Sequence, residues 1–284
     1  GETENNTEYK WFSEVTDGAT KKSESVRSEW KEKIAEEVEG VPVPKGFTYK
    51  EGTKDTGLVI KDDNGNEFVW VPATESTYRK DTSFPGVTPT RDDTLPNGIK
   101  DETADVVKYG GFYIGRYEAG IPEGDTSPSN KIGIPVSKKD ATVWTNINYT
   151  NAKASAENMI SNEYVQTGLL TGKAWDTVCH WIKSDDELKD SRTYGNYINS
   201  LAPANENSGT KRTAGFNENW KVKNIYDLAG NVWEWTSEAY SSISISRGGS
   251  YDYGGSDFPV SCRDRDSASG ANGVTGFRLR LYIK

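Results

Sequence analysis

Covalent or acid–base chemistry in this chain would have to come from two cysteines, Cys179 and Cys262, one histidine, His180, and 43 carboxylates. A single histidine gives a His-dependent triad or a His-rich metal site only one candidate. His180 stands next to Trp181 at the border of a helical apolar face, where a hydrogen-bonding residue at the core edge is the expected role. Two cysteines suffice for one disulfide but not for a framework. No spacing among the acids marks a glycosidase-like pair. Asp62, Asn64 and Asn66 alternate like the first ligands of a calcium loop, but the glycine and the distal Glu that complete such a loop are misplaced. Asn64-Gly65 between two apolar runs reads instead as a hairpin turn.

The stronger chemical signal is one of recognition. Between Tyr251 and Thr275 there is no Lys, Glu, Gln, Met or Trp, although these five types make up roughly a fifth of the chain. What remains is Tyr, Phe, Ser, Gly, Asn and Asp with a few arginines. Tyr251, Tyr253 and Phe258 offer rigid contact area at low entropic cost, and the small polar residues offer adaptable hydrogen bonds, as in an antibody paratope. Asp252, Asp257, Asp264, Arg265, Asp266 and Ser267 add charge and polarity that can select a partner. Cys262, inside the same stretch, is expected to be a free thiol rather than half of a bridge. Gly255, Ser256, Pro259 and Arg263 read as scaffold between contact positions.

The elements that must hold this stretch follow from local pattern. Residues 1–44 form a polar N-terminal segment with a helix over Ser25–Glu39, whose Val26, Trp30, Ile34 and Val38 fall four apart on one stripe. Gly40 to Pro44 ends it as a stiff connector. Gly57–Ile60 and Glu67–Val71 form a hairpin about Asn64-Gly65. Residues 73–110 read as a long surface excursion, and Gly111–Glu118 returns as a strand. Asn151 is the expected cap of a helix over Ala152–Ser161, and Thr171 the cap of a helix presenting Trp175, Val178, Cys179 and Ile182. Residues 185–223 are polar loop. Short strands, two or three helices and much loop make an α+β domain over residues 45–284 with antiparallel pairing.

Composition narrows the partners. A net charge of −9 argues against nucleic acid, which needs a basic surface. No apolar run approaches the roughly 18 residues of a membrane span, and neither a signal peptide nor an anchor is visible.

Phe68-Val-Trp-Val-Pro72, Gly111-Phe-Tyr-Ile-Gly-Arg-Tyr-Glu118, Asp227-Leu-Ala-Gly-Asn-Val-Trp-Glu-Trp235, Arg247-Gly-Gly-Ser-Tyr251 and Gly276-Phe-Arg278 follow one another in a fixed order. Together they resemble the formylglycine-generating-enzyme branch of the C-type lectin fold over roughly residues 45–284. The resemblance implies a small twisted antiparallel sheet, two or three helices and extensive loops. It also implies two active-site cysteines after the Arg-Gly-Gly-Ser motif. Here those positions align with Tyr253 and Phe258, neither of which forms a thiolate or binds copper. Cys262 is off register and Cys179 is on a distant helix, so no catalytic residue is expected. In the resembling enzymes a Ca2+ is held by a side chain, two carbonyls and a Glu that fall at Asp227, Gly230, Val232 and Glu234, all hard oxygen donors. No cofactor is required by this reading; a structural Ca2+ is its one candidate.

The chain also resembles the variable proteins of diversity-generating retroelements, which use the same fold. In that family template adenines, mostly in Asn codons ending in C or T, are mutated during copying. Codons ending in C or T do not encode Lys, Glu, Gln, Met or Trp, the five types missing here. The resemblance implies a variable region at residues 247–278 and a non-enzymatic protein displayed outside the cell, on a cell surface or on a phage particle. Its ligand would be a protein or a cell-surface structure. The sugar-binding lectins' Glu-Pro-Asn motif is absent. A formylglycine-generating oxidase with displaced cysteines and a purely structural surface or tail domain remain as alternatives.

Overall fold

The computed structural model describes residues 32–92 and 102–284. In chain order the strands and helices are β1 (Ile34–Val38), β2 (Val41–Pro44), β3 (Phe47–Glu51), β4 (Val59–Asp62), β5 (Glu67–Pro72), β6 (Arg91–Asp92), α1 (Glu102–Tyr109), β7 (Gly111–Gly115), α2 (Tyr149–Met159), β8 (Val165–Leu169) and α3 (Gly172–Ile182). After them come β9 (Lys221–Val222), β10 (Ile225–Tyr226), β11 (Trp233–Tyr240), β12 (Ile243–Arg247), β13 (Arg263–Asp266), β14 (Thr275–Phe277) and β15 (Leu279–Ile283). This is the α+β class expected.

A six-stranded sheet, ordered β3-β4-β5-β7-β15-β8, carries the core. Alternation along its central strands feeds both faces. Phe68, Trp70 and Tyr113 point to one side with Ala152 and Ala156 of α2, while Val69, Val71, Phe112 and Ile114 point to the other with Trp175, Val178, Cys179 and Ile182 of α3. The hairpin of β4 and β5 pairs Val59 with Val69 and Ile60 with Phe68, as its turn residues predict. Thr171 caps α3 by accepting from the Ala174 amide. The cap of α2 is Asn148, which accepts from the Asn151 amide, so that helix starts and ends earlier than expected.

A second sheet, β13-β12-β11-β14 with β6 also on β11, holds the C-terminal motifs. Its β11–β14 pair is parallel and its other pairs are antiparallel.

Three expectations fail. Of the stretch expected as helix over Ser25–Glu39, residues 25–31 lie outside the described residues; among the described ones Glu32 and Lys33 are helical and Ile34–Val38 is strand. Side chains four apart share a face in a strand as well as in a helix, so the Ile34/Val38 stripe did not discriminate. Glu39 at φ 53° and Gly40 at φ 76° make the tight turn that closes β1 on β2. Val41 and Val43, read as connector, are fully buried in the main core. The excursion at 73–110 is likewise no mere surface loop, since Tyr78, Val106 and Tyr109 are buried and α1 lies within it.

Candidate functional site

Residues 249–258 turn outward from the end of β12. Gly249, at φ 77°, could not carry a side chain: its Cβ would lie 2.5 Å from the Phe258 carbonyl oxygen and 2.6 Å from the Tyr197 ring. That closeness folds the turn back on itself. Within it the Phe258 amide donates to the Gly254 carbonyl at 2.9 Å, and the Tyr253 amide donates to the Ser250 carbonyl at 3.1 Å. The neighbouring loop braces it from outside. The Ile198 amide donates to the Tyr253 carbonyl at 3.1 Å, and the Gly255 amide donates to Asn199 Oδ1 at 2.9 Å.

The turn brings three rings together. Tyr253 and Phe258 meet edge to face at 4.8 Å, and both stand edge-on to Trp233 of β11, at 6.1 and 5.8 Å. Trp233 is buried and Phe258 is half-buried, while Tyr253 is 39% exposed. The two positions expected to align with the enzymes' cysteines are therefore adjacent in space, and they are filled by an aromatic cluster. No thiol is within it, so the cluster offers stacking and apolar contact but no redox chemistry.

The other expected contact residues fall into three groups. Asp252 and Asp257 are exposed on the same turn as Tyr253, and Tyr251 is half-buried there. Asp264, Arg265 and Asp266 lie on the edge strand β13, opposite Ser246, Ile245 and Ser244 of β12, with Ser267 just beyond. Arg265 and Ser267 are exposed and the two aspartates are half-buried. Cys262 does not belong with them. It is 4% exposed, and burial pushes its thiol up to about 11, so it presents no thiolate to a ligand. Cys179 is also buried, and neither cysteine is in a disulfide.

Between the turn and β13 the chain is tethered inward. The Trp175 indole donates to the Val260 carbonyl at 3.0 Å, and the Ser261 hydroxyl donates to the Leu188 carbonyl at 2.7 Å. Arg263 joins a fully buried charge square with Arg247, Asp176 and Glu238. Arg247 pairs with Asp176, and with Glu238 at 2.9 Å; Arg263 pairs with Asp176 at 2.7 Å and reaches Glu238 at 3.4 Å. Two cations meet two carboxylates, so the square is balanced. Arg247 of the Arg-Gly-Gly-Ser motif thus serves acids from α3 and β11. The pattern of residues gave no signal for the square, because Asp176 lies on α3, far from both arginines in sequence.

His180 takes the core-edge role expected of it. It stacks on Phe84 at 5.1 Å and bonds Asp81 at 2.9 Å.

A second buried charge group lies behind the Asp227–Trp235 motif. Arg278 grips Glu234 through Nη2 at 2.7 Å and through Nε at 3.0 and 3.1 Å, and it donates to the carbonyls of Gly115 and Tyr226. Asp227 Oδ2 accepts from the Gly215 amide at 2.6 Å, but its Oδ1 is buried with no hydrogen-bond partner among the described residues. Glu118, which the sequence did not single out, bonds Asn231 at 2.5 Å and the Val232 amide at 3.2 Å. Burial raises all three carboxyls: Glu118 well above the usual range, Asp227 to about 7, and Glu234 against the opposing pull of Arg278.

The orphan Asp227 oxygen is a donor that a cation would suit, but the expected calcium set does not form around it. Glu234 has given both carboxylate oxygens to Arg278, and among the described residues no group of three or more His, Cys, Asp or Glu is placed to hold a metal. Gly230 and Val232 stand where the motif puts them, but without Glu234 they do not complete a site. The residues present do not fit the calcium centre of the resembling enzymes, and the Arg278 guanidinium supplies the positive charge.

A family model described as sulfatase-modifying factor enzyme 1-like domain matches residues 60–281. Among solved structures, variable protein 1 of Treponema denticola is 15% identical, with 84% of this chain and 99% of that one covered at a TM-score of 0.44. PvdO from Pseudomonas aeruginosa is 15% identical, with 80% and 98% covered at 0.43. CarF is 15% identical, with 77% and 99% covered at 0.43. Likenesses this distant carry no argument about activity. No curated protein matches the sequence. The family match spans most of the chain, which therefore belongs to the sulfatase-modifying factor enzyme 1-like domain family.

Proposed function

We propose that this chain is a non-enzymatic binding protein that recognises a protein or cell-surface ligand through the turn at Tyr251–Phe258, with β13 beside it. The observation that carries the reading is the Trp233–Tyr253–Phe258 cluster, which stands at the two positions aligned with the enzymes' cysteines and leaves Tyr253 exposed. An exposed aromatic at the centre of a polar, charged surface is the composition of a binding hot spot. No catalytic group is assigned. The buried thiols of Cys179 and Cys262 are both pushed upward by burial, which opposes thiolate chemistry.

The missing residue types between Tyr251 and Thr275 support a further reading, that this surface is diversified by a retroelement. Such a protein would work outside the cell or on a phage particle, and among the described residues no helix is long and apolar enough to cross a membrane. Sequencing the encoding locus tests this. An adenine-rich near-copy of the codons for residues 247–278 beside a reverse transcriptase gene is expected, and its absence would remove the diversification. The oxidase alternative is tested by incubating the protein with a Cys-containing sulfatase peptide. The reading expects no aldehyde product; turnover abolished by Cys179→Ser or Cys262→Ser would replace it with an enzyme.

A further inference from the structure

We infer that the partner's key group is a cation: the turn takes a protein ligand that lays an Arg or Lys side chain over the Tyr253–Phe258 rings between Asp252 and Asp257. This rests on the binding reading above and narrows it to a class of partner.

Cations cover several other rings of this protein, both buried and exposed. Lys183 covers Tyr194 at 4.7 Å, Arg212 covers Phe216 at 4.9 Å, Lys223 covers Trp181 at 5.1 Å and Lys221 covers Tyr226 at 5.3 Å. Among the described residues no cation lies over Trp233, Tyr253 or Phe258. Their faces are uncovered, as are those of exposed Tyr49 and Tyr240 among the described residues, and ring faces attract cations, most of all where water is displaced.

The carboxylates point the same way. Asp252 accepts only the Ser250 hydroxyl at 2.7 Å, and neither Asp252 nor Asp257 has a salt-bridge partner among the described residues. Arg192, on which the Asp257 charge acts weakly, keeps its guanidinium on Asp190 at 2.6 Å. Over residues 251–267 the side chains at or near the surface are Asp252, Asp257, Asp264 and Asp266 against Arg265 alone, because Arg263 is buried in its ion pairs. An excess of negative charge around an uncovered aromatic centre complements a basic partner and repels an acidic one. Ile198, 65% exposed and hydrogen-bonded through its amide to Tyr253, adds an apolar shoulder that suits the methylene stem of Arg or Lys.

The test is a selection. The whole chain would serve as bait for a displayed library of a charge-neutral scaffold randomised in one loop, with counter-selection on the Tyr253→Ala, Phe258→Ala double variant. Clones that depend on the two rings should be enriched in Arg or Lys over the unselected library. They should weaken about tenfold against the Asp252→Asn, Asp257→Asn variant, and similarly on raising salt from about 0.05 to 0.5 M. Circular dichroism and melting of both variants would confirm the native fold. Ring-dependent clones without basic enrichment, or indifferent to the Asn pair, would overturn the inference and leave the binding reading standing. Ring-dependent binding of neutral oligosaccharides on an array in place of basic clones would overturn it too. Recovery of no ring-dependent clone at all would sink both.

Discussion

From Tyr251 to Phe258 the chain turns outward, with Asp252, Tyr253 and Asp257 in solvent and its ties to neighbouring loops made through backbone groups; from Pro259 to Arg263 it runs buried. There Val260 is bonded to Trp175, Ser261 to Leu188 and Arg263 to two acids. The two stretches adjoin in sequence, yet the first presents several side chains to solvent and the second buries its own. The fold therefore sets a buried floor within a few residues of an exposed rim. The contrast also separates the two arginines of the stretch: Arg263 is structure and Arg265 is surface.

Arg263→Ala should break that contrast most severely. It leaves Asp176 and Glu238 buried with one cation fewer, at a cost of about 3–5 kcal/mol, and it strips donors from the Asp81 and Phe84 carbonyls. Tyr253→Ala, at an exposed position, should cost about 1 kcal/mol or less. Thermal unfolding followed by circular dichroism would compare the two, and equal losses would erase the distinction between floor and rim.

The next effect in size concerns the second buried charge group, where three carboxylates face one guanidinium instead of two facing two. Asp227 is held at about 7, above its unfolded value near 3.9, so the folded state keeps the proton more tightly. Its stabilising contribution is complete below about pH 4 and is lost as the pH rises towards 7. In chelator, the melting temperature should therefore be lower at pH 8 than at pH 5.5. Asp227→Asn should remove part of that drop and stabilise the protein at pH 8 by about 1–3 kcal/mol. An Asn variant with the same pH dependence as the parent would show that Asp227 is ionised without penalty.

Smallest is the expected effect of calcium. With Glu234 held by Arg278, adding Ca2+ or chelator at neutral pH should leave the melting temperature within about 1 °C. A rise of several degrees with Ca2+ would mean that Glu234 is released and that the family's metal centre forms after all.

Much of the fold was legible because its signals are local. Asn64-Gly65 between apolar runs announced the β4–β5 hairpin, Thr171 announced α3, and the ordered glycine and tryptophan motifs announced the family. The misreadings have physical causes. The Ile34/Val38 spacing suits either element, and only pairing with β2 decided it. Helix α1 has Glu, Asp and Lys among few apolar residues, so its periodicity is weak. Asn148 and Asn151 are both good caps, and the choice fell to tertiary packing. In the site, Tyr253 and Phe258 were legible from their alignment, but their contact with Trp233 was not. Cys262 read as a surface thiol because burial depends on the inward tethers at Val260, Ser261 and Arg263. The charge square was invisible for the same reason, since Arg263 meets Asp176 across 87 positions of sequence.

The most direct test of the central claim is isothermal titration of a partner recovered by selection against the whole chain, comparing the parent with the Tyr253→Ala, Phe258→Ala double variant. A recognition turn centred on these rings predicts at least about a hundredfold loss of affinity, roughly 3 kcal/mol, with the fold intact. Undiminished affinity in a folded double variant would contradict it and place recognition elsewhere on the molecule.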